Sequence, residues 1–363
     1  MIAIIGGYGQ VGLGTLNLLL SEYGAENIKI GGRYPEKISG ETKEQIGNIR
    51  LEKVDVYDKG SLKNFIRECD IVINCCGPSH KLSYDIYKIV SECGKKYVDA
   101  GFDMRFTVGK SSSAAALYGC GSSPGFSGLA QKYLVSLFDE AENLNYYYGG
   151  ISKFTKAAAE DYLIGACEEK TGFMANYRNY KKESLTSFES ETTELPYFSE
   201  DIKIIPFYDD ECEETAVSSK IKNASWFIVS EGERVTSLMK NARYEWNKDK
   251  EKCIKNFMTS VNLDLIGRKE YMCFLLECDG IKDGSYVKKR MAVKTYQPSY
   301  FTGFMTGIAA VYMMKNNVKN GVYTMSEIVD PVFVWNSIQK YNAADIISIS
   351  DVKDDSYFDE GEI

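Results

Sequence analysis

Three glycines in Gly7-Tyr8-Gly9-Gln10-Val11-Gly12 follow the apolar run Ile2-Ala3-Ile4-Ile5 and open a segment, Gln10 to Ser21, whose apolar residues recur at three- and four-residue steps. A strand, a G-x-G-x-x-G turn and a helix in that order suit a dinucleotide pyrophosphate. Gly7 permits the tight turn, Gly9 lets the backbone approach phosphate, and Gly12 lets the helix pack on the strand with its N-terminus toward the charge. The stretch Lys29-Ile30-Gly31-Gly32-Arg33 decides which dinucleotide. NAD sites place an Asp or Glu here for the ribose 2′-hydroxyl. No acid is present, the two glycines leave room, and Arg33 offers a planar fork suited to a 2′-phosphate. NADP is therefore the expected cofactor, with a surface cation as the plainer reading of Arg33. An Asp at position 31 is expected to turn the preference toward NADH.

Further along, Asp55-Val56 is placed at the adenine edge and Cys76-Gly77-Pro78 where the nicotinamide half would cross. Asp99, at the end of another apolar run, could orient a substrate amine or ribose hydroxyl, or serve only as a turn Asp. His80, the single histidine, could face the nicotinamide or stand exposed at a helix start. Gly121-Ser122-Ser123-Pro124-Gly125 also fits G-x-S-x-G, but a serine nucleophile needs a base, and the one His lies upstream. That segment reads as a turn into a helix. No C-x-x-C occurs and one His cannot build a His-based site, so no metal is expected. Vicinal Cys75-Cys76, at the end of an apolar run, read as small core residues rather than a redox pair.

These residues need elements to hold them. Strands are expected near Ile2 to Ile5, Ile28 to Gly31, Ile49 to Val54, Ile71 to Cys75, Lys96 to Asp99 and Ala116 to Gly119. Helical patterns lie between them at Gln10 to Ser21, Ser61 to Glu68 and Ser83 to Cys93. This alternation predicts an α/β fold with a doubly wound parallel sheet in order 3-2-1-4-5-6 over residues 1–122. Residues 123–300 read as an α+β domain for substrate and dimerisation. It opens with a helix from Phe126 to Phe138 and continues with strands at Asn145 to Tyr148 and Trp226 to Val229. A hairpin from Lys269 to Cys278 and Ser285 to Gln297 follows, with turn signals at Asp279-Gly280 and Asp283-Gly284. Glu183 to Glu194 is expected to be an exposed loop. The helical pattern Phe301 to Met314, with the segment from about 301 to 350, is expected to pack back on the first domain, and 351–363 is an acidic tail.

The chain has 363 residues, with 43 Lys+Arg against 51 Asp+Glu and a formal charge of −8. That length gives room for two cores, and the acidic balance with short basic runs argues against nucleic acid. The longest uncharged stretch, Gln297 to Met314, contains Pro298, two glycines and several hydroxyls, so no membrane span is expected. Ten cysteines without a leader-like start point to a cytoplasmic protein.

The chain resembles the saccharopine-dehydrogenase-like (saccharopine reductase) family. The resemblance rests on Ile4-Ile5-Gly6-Gly7-Tyr8-Gly9-Gln10-Val11-Gly12, on Gly31-Gly32-Arg33, and on Asp70-Ile71-Val72-Ile73-Asn74-Cys75-Cys76-Gly77-Pro78. Gly94-Lys95-Lys96-Tyr97-Val98-Asp99, Ser123-Pro124-Gly125, Thr302-Gly303 and Gly321-Val322 add to it. Where saccharopine-forming members usually carry Asp-Pro-Gly, this chain has Ser123-Pro124-Gly125. The resemblance implies an NADPH-dependent oxidoreductase with a Rossmann domain, transferring hydride to an imine C=N to give a secondary amine, or the reverse. Asp99 is then the carboxylate near the nitrogen, and Arg178, Arg243, Arg268 and Arg290 are candidates for substrate carboxylates. The substrate would be a small amino or keto acid or imine, free or carrier-bound, and the protein a homodimer. Two other activities stay open: a trans-acting enoyl reductase on an acyl thioester, and a non-catalytic NADP-binding subunit.

Overall fold

Ile2-Ala3-Ile4-Ile5, Ile71-Val72-Ile73-Asn74 and Ala115-Ala116-Leu117-Tyr118 are buried at every position. Unbroken apolar runs of this kind belong to parallel strands covered on both faces. The computed structural model describes residues 1–107, 111–167, 174–185, 192–200 and 202–352. Its first part alternates β1 (Ile2–Ile5), α1 (Gln10–Tyr23), β2 (Ile28–Gly32), α2 (Gly40–Ile46), β3 (Arg50–Lys53), α3 (Lys59–Ile66), β4 (Ile71–Asn74), α4 (Ser79–Glu92), β5 (Lys96–Asp99) and β6 (Ala115–Tyr118). The middle runs α5 (Phe126–Val135), β7 (Glu140–Ile151), α6 (Lys156–Cys167), β8 (Ala175–Arg178), β9 (Lys181–Ser184), β10 (Thr192–Thr193), β11 (Ile202–Pro206), α7 (Asp210–Ser218), β12 (Asn223–Ser230), α8 (Glu233–Met239), α9 (Ala242–Lys248) and α10 (Lys250–Asp264). The chain closes with β13 (Tyr271–Lys282), β14 (Ser285–Thr295), α11 (Pro298–Lys315), β15 (Gly321–Thr324), α12 (Met325–Ile328), α13 (Pro331–Lys340) and β16 (Ile346–Asp351).

The first sheet is parallel, in order β15-β6-β5-β4-β1-β2-β3. It is the doubly wound sheet expected, with a seventh strand: Gly321-Val322-Tyr323-Thr324 returns from far along the chain to pair with β6. The second sheet is mixed, in order β10-β11-β12-β7-β13-β14-β16, with β8 and β9 beside β12. The hairpin of β13 and β14 turns at Asp283-Gly284, both with positive φ. Asp279-Gly280 instead lies inside β13 at a bulge against β7, because a glycine inside a ladder accommodates an extra residue as readily as it makes a turn. Of the expected loop at 183–194, residues 186–191 lie outside the described residues, as does the acidic tail from 353. Asp351 ends β16 and pairs with Lys289.

The C-terminal segment divides between the sheets. α11 lies along α1, β15 completes the first sheet, and β16 joins the second. The α1–α11 contact depends on missing side chains. A Cβ on Gly303 would fall 1.8 Å from the Val11 carbonyl oxygen, and one on Gly14 would fall 2.2 Å from that of Tyr300. The Thr15 hydroxyl closes the contact by donating to the Gly303 carbonyl at 2.8 Å. One apolar core runs from the first sheet (Ile4, Ile73) through α1, α5 and α11 (Leu16, Phe126, Phe301) into the second sheet (Trp226, Phe274). The opposite face of the first sheet packs on α3 and α4, and a separate core lies under α6, α9 and α10. No helix among the described residues is long and apolar enough to cross a membrane.

Candidate functional site

The turn after β1 is held by backbone bonds: Gly6 N–H donates to Gly31 O at 2.7 Å and Gly9 N–H to Gly6 O at 3.0 Å. Gly7 packs on Ile30, and a Cβ on Gly12 would sit 2.2 Å from Gly6 O and 2.6 Å from Gly7 Cα. Gly9 and Gln10 are exposed at the head of α1 and Val11 is half-buried. The helix begins with no side-chain cap and no acid in its first turn, so its free amides face solvent at the C-terminal edge of the sheet. A helix start of this kind holds phosphate.

At the end of β2 the structure corrects the reason given for the two glycines. A Cβ on Gly31 would meet Val54 and Phe65, each at 2.7 Å, and one on Gly32 would lie 2.2 Å from the Tyr8 hydroxyl. They leave room for protein side chains, not for a phosphate. Tyr8 fills the Gly32 position and accepts from the Tyr34 amide at 3.1 Å, tying the glycine turn to β2. Arg33 is exposed and makes no ion pair among the described residues. Its guanidinium lies 5.7 Å from the Tyr34 ring and 5.9 Å from the Tyr57 ring, two aromatics that are 49% and 64% exposed. Lys37, which sequence reasoning missed, sits 4.4 Å above Tyr34. Two cations and two open rings thus stand together beyond the glycine turn. Asp55 forms a turn instead, accepting from the Tyr57 amide at 3.1 Å, while its own amide donates to Ser61. Val56 is half-buried beside it.

The other half of the cleft lies over the ends of β4, β5 and β6. Cys76 hydrogen-bonds Asn74 through its amide at 3.2 Å and its thiol at 2.9 Å, and the Cys75 thiol lies 3.4 Å from the Thr15 hydroxyl. Burial pushes both thiols up, that of Cys75 to about 12, so neither is a ready nucleophile. Gly77 and Pro78 lie beneath α6: a Cβ on Gly77 would be 3.4 Å from Asp161 Oδ2 and 3.6 Å from Ala157 Cβ. Asp161 accepts from the Ser79 amide at 2.8 Å and lies 2.8 Å from His80 Nδ1, capping α4 from the second domain. Glu160 stands 3.5 Å from His80 Nε2. His80 is therefore neither exposed nor free; it clasps the two domains.

Asp99 stands as a turn Asp, one of the two roles expected of it. Its side chain belongs to a residue only 1% exposed, and its carboxylate accepts from the Tyr97 hydroxyl, from Asn74 Nδ2 at 3.0 Å and from the Gly101 amide at 2.8 Å. Burial raises it to about 6 against those hydrogen bonds. With every donor drawn from its own domain, it ties the turns after β4 and β5 together. The candidate arginines are also engaged or remote. Arg178 donates to Tyr177 O, Ala224 O and Ser225, Arg243 to Cys167 O and Arg290 to Glu277, while Arg268 is exposed beyond α10.

The turn after β6 carries hydroxyls. Ser122, in the turn after β6, lies 3.0 Å from the Thr302 hydroxyl in the first turn of α11, while the Tyr148 phenol of β7 donates to Met272 Sδ at 3.6 Å. The turn itself is fixed by Glu211 of α7, which accepts from the Gly125 amide at 2.8 Å and from the Ser127 hydroxyl. No sequence-local signal marks Glu211, since it reaches the turn only through the packing of α7 on α5. No group of His, Cys, Asp and Glu among the described residues is placed to hold a metal ion.

A doubly wound sheet, a glycine turn against an uncapped helix and an exposed cationic edge define an NADP-binding domain. Residues 2–160 match the model of the saccharopine dehydrogenase NADP binding domain, so this part of the chain is an NADP-binding domain of that kind. No curated protein matches by sequence. Among solved structures, apo saccharopine dehydrogenase (L-Glu forming) from Saccharomyces cerevisiae has 12% identity and a TM-score of 0.66, covering 97% of this chain and 99% of that one. The C. glutamicum DAP dehydrogenase in complex with DAP has 13% identity and a TM-score of 0.45 over 95% and 98% of the two chains. The first of these shares its two-domain fold with this protein.

Proposed function

We propose that the protein is an NADPH-dependent oxidoreductase that reduces an imine C=N to a secondary amine, or runs the reverse, in the cleft over β4, β5 and β6. The observation that supports it most is the pairing of two compartments along one sheet edge. One has a glycine turn a Cβ would fill and two cations with no ion pair among the described residues; the other carries hydroxyls. The residues fit the dinucleotide. Gly7, Gly9, Gly12 and the amides of Gln10 and Val11 would hold the pyrophosphate. Arg33 and Lys37 would hold the 2′-phosphate, with Tyr8, Gly32 and the Asp55-Val56 turn shaping the adenosine side. Cys76, Gly77 and Pro78 would border the nicotinamide. The bound cofactor supplies the hydride. The protein holds the C=N carbon against it, and α6 and β7 exclude water from above. Asp99 keeps the turns in register and does not touch substrate. A second copy would meet the outer face of the second sheet, where Tyr147 stacks on Phe227 at 5.2 Å; sedimentation at micromolar protein reads whether a dimer forms.

The test is NADPH oxidation measured with a carbonyl acid plus an amine, with a preformed cyclic imine, and with an enoyl thioester. Turnover is expected only with the first two. Fast turnover on the thioester alone, or none with any while NADPH still binds, sinks the imine reading. A bound substrate analogue should lie between the turns after Cys76 and Asp99 and the second domain.

A further inference from the structure

We infer that Tyr8 sets the dinucleotide preference: its phenol stands where an NAD site carries its ribose-binding carboxylate, and it donates to the cofactor's 2′-phosphate. This deepens the cofactor half of the reading above and rests on it, and it is independent of the imine. Neither the domain match nor the glycine motif gives the residue between Gly7 and Gly9 a task, because the motif fixes only the glycines.

The two glycines that end β2 show where the phenol stands. Successive strand residues face opposite sides of a sheet. A Cβ on Gly31 would meet Val54 and Phe65, both in the core on the α3 side. A Cβ on Gly32 would meet the Tyr8 ring, with the hydroxyl 2.2 Å away. Of the two, Gly32 is therefore the position whose side chain would reach back over the glycine turn. It lies roughly 20 residues past Gly12, the interval at which NAD sites place the Asp or Glu that takes the ribose 2′-hydroxyl. Tyr8 fills that place from the turn itself, so an acid at 32 and a tyrosine at 8 exclude one another.

The phenol also has a proton to give. Its oxygen accepts from the Tyr34 amide at 3.1 Å, which fixes the hydroxyl beside the end of β2, and among the described residues no acceptor takes its proton. Tyr8 is half-buried, while Gly9, Arg33 and Tyr34 around it are exposed. Arg33 follows Gly32 directly, and Lys37 stands 4.4 Å above the Tyr34 ring; neither cation has an ion pair among the described residues. A carboxylate at this spot accepts from a 2′-hydroxyl and repels a 2′-phosphate. A phenol proton beside two cations attracts the phosphate and offers the hydroxyl no anion.

The test reads binding alone. Calorimetric titration compares NADP⁺ with NAD⁺, which differ only in the 2′-phosphate, on wild type, Tyr8→Phe, Gly32→Asp and the double variant Tyr8→Ala/Gly32→Asp. Tyr8→Phe keeps the ring over Gly32 and removes only the hydroxyl. It should weaken NADP⁺ about tenfold, the loss of one charge-assisted hydrogen bond, and leave NAD⁺ within twofold. Gly32→Asp alone should bind both cofactors poorly, because its side chain meets the ring. Removing the ring in the double variant should restore NAD⁺ binding and move the preference at least tenfold toward NAD⁺. No loss in Tyr8→Phe, or an equal loss of both cofactors, overturns the inference. So does a Gly32→Asp variant that takes NAD⁺ as well as the double variant does. Wild type that binds neither cofactor fells the cofactor reading as well, whereas wild type that prefers NADP⁺ while Tyr8→Phe keeps that preference in full fells only the role of Tyr8.

Discussion

Arg33 and Lys37 are cations without carboxylate partners among the described residues, on an edge where only a ligand would offset their charge. Arg33→Ala should weaken NADPH by about 1.5 to 3 kcal/mol, the range for a hydrogen bond to a charged group, and leave NADH nearly unaffected. Titrating both cofactors at fixed salt checks this, since the contact is partly screened. Equal losses would return Arg33 to a structural role. Gly31→Asp, which from the sequence looks like a switch toward NADH, should instead destabilise the fold, because its Cβ would strike Val54 and Phe65 at 2.7 Å. For Asp99, Asp99→Asn places an amide against the Asn74 amide that now donates to it. A loss of about 1 to 3 kcal/mol in chemical denaturation is expected, with any fall in turnover following the loss of fold.

The elements carry two further expectations. α5 begins where Glu211 of α7 holds its first turn, and the Glu211 carboxyl is raised to about 7, first by burial and then by the Asp209 charge. Its ordinary value is 4.5, so the folded protein binds this proton more tightly than the unfolded chain. The associated stability is complete below pH 4.5 and is lost as pH rises through 7. The stability difference between wild type and Glu211→Gln should fall across that window, by on the order of 3 kcal/mol at most, and be flat above it; a pH-independent difference counts against the assignment. Gly303→Ala pushes α11 off α1 and should cost about 1 to 3 kcal/mol. It should also weaken NADPH and NADH alike, because α1 carries the glycine turn, and that pattern separates it from Arg33→Ala. These elements also show what the sequence could reveal. β1, β4, β6 and the glycine turn were legible because burial on both faces writes itself as continuous apolar runs and the phosphate turn as fixed glycine spacing. β15 was not, since four residues ending a polar stretch carry no period. The roles of Asp161 and Glu211 were hidden because each depends on which helices pack together in space. The glycines at 31 and 32 were seen but misjudged, since a missing side chain does not say what fills its place.

At the scale of the molecule, the boundary after residue 122 does not mark a unit that can stand alone. α1 is covered by α11, β6 is covered by β15, and one core continues from the first sheet into the second. A fragment of residues 1–122 should therefore lack the cooperative thermal transition of the full chain, exposing the α1 face that Tyr300, Gly303, Phe304 and Gly307 cover. A sharp, reversible transition in calorimetry would show the first domain to be self-sufficient.

The late return of β15 and β16 has a consequence for the order of events on the ribosome. Roughly 200 residues separate β6 from the strand that covers its edge, which at a synthesis rate of about 5 to 20 residues per second is roughly 10 to 40 s. Through that interval the nascent chain carries an open parallel edge and a bare apolar helix face. Both sheets acquire their last strand only when the segment from 321 to 351 has emerged. The nucleotide-binding sheet is thus begun about 200 residues before it is completed, so cofactor capture can serve as a report that translation has run through β15.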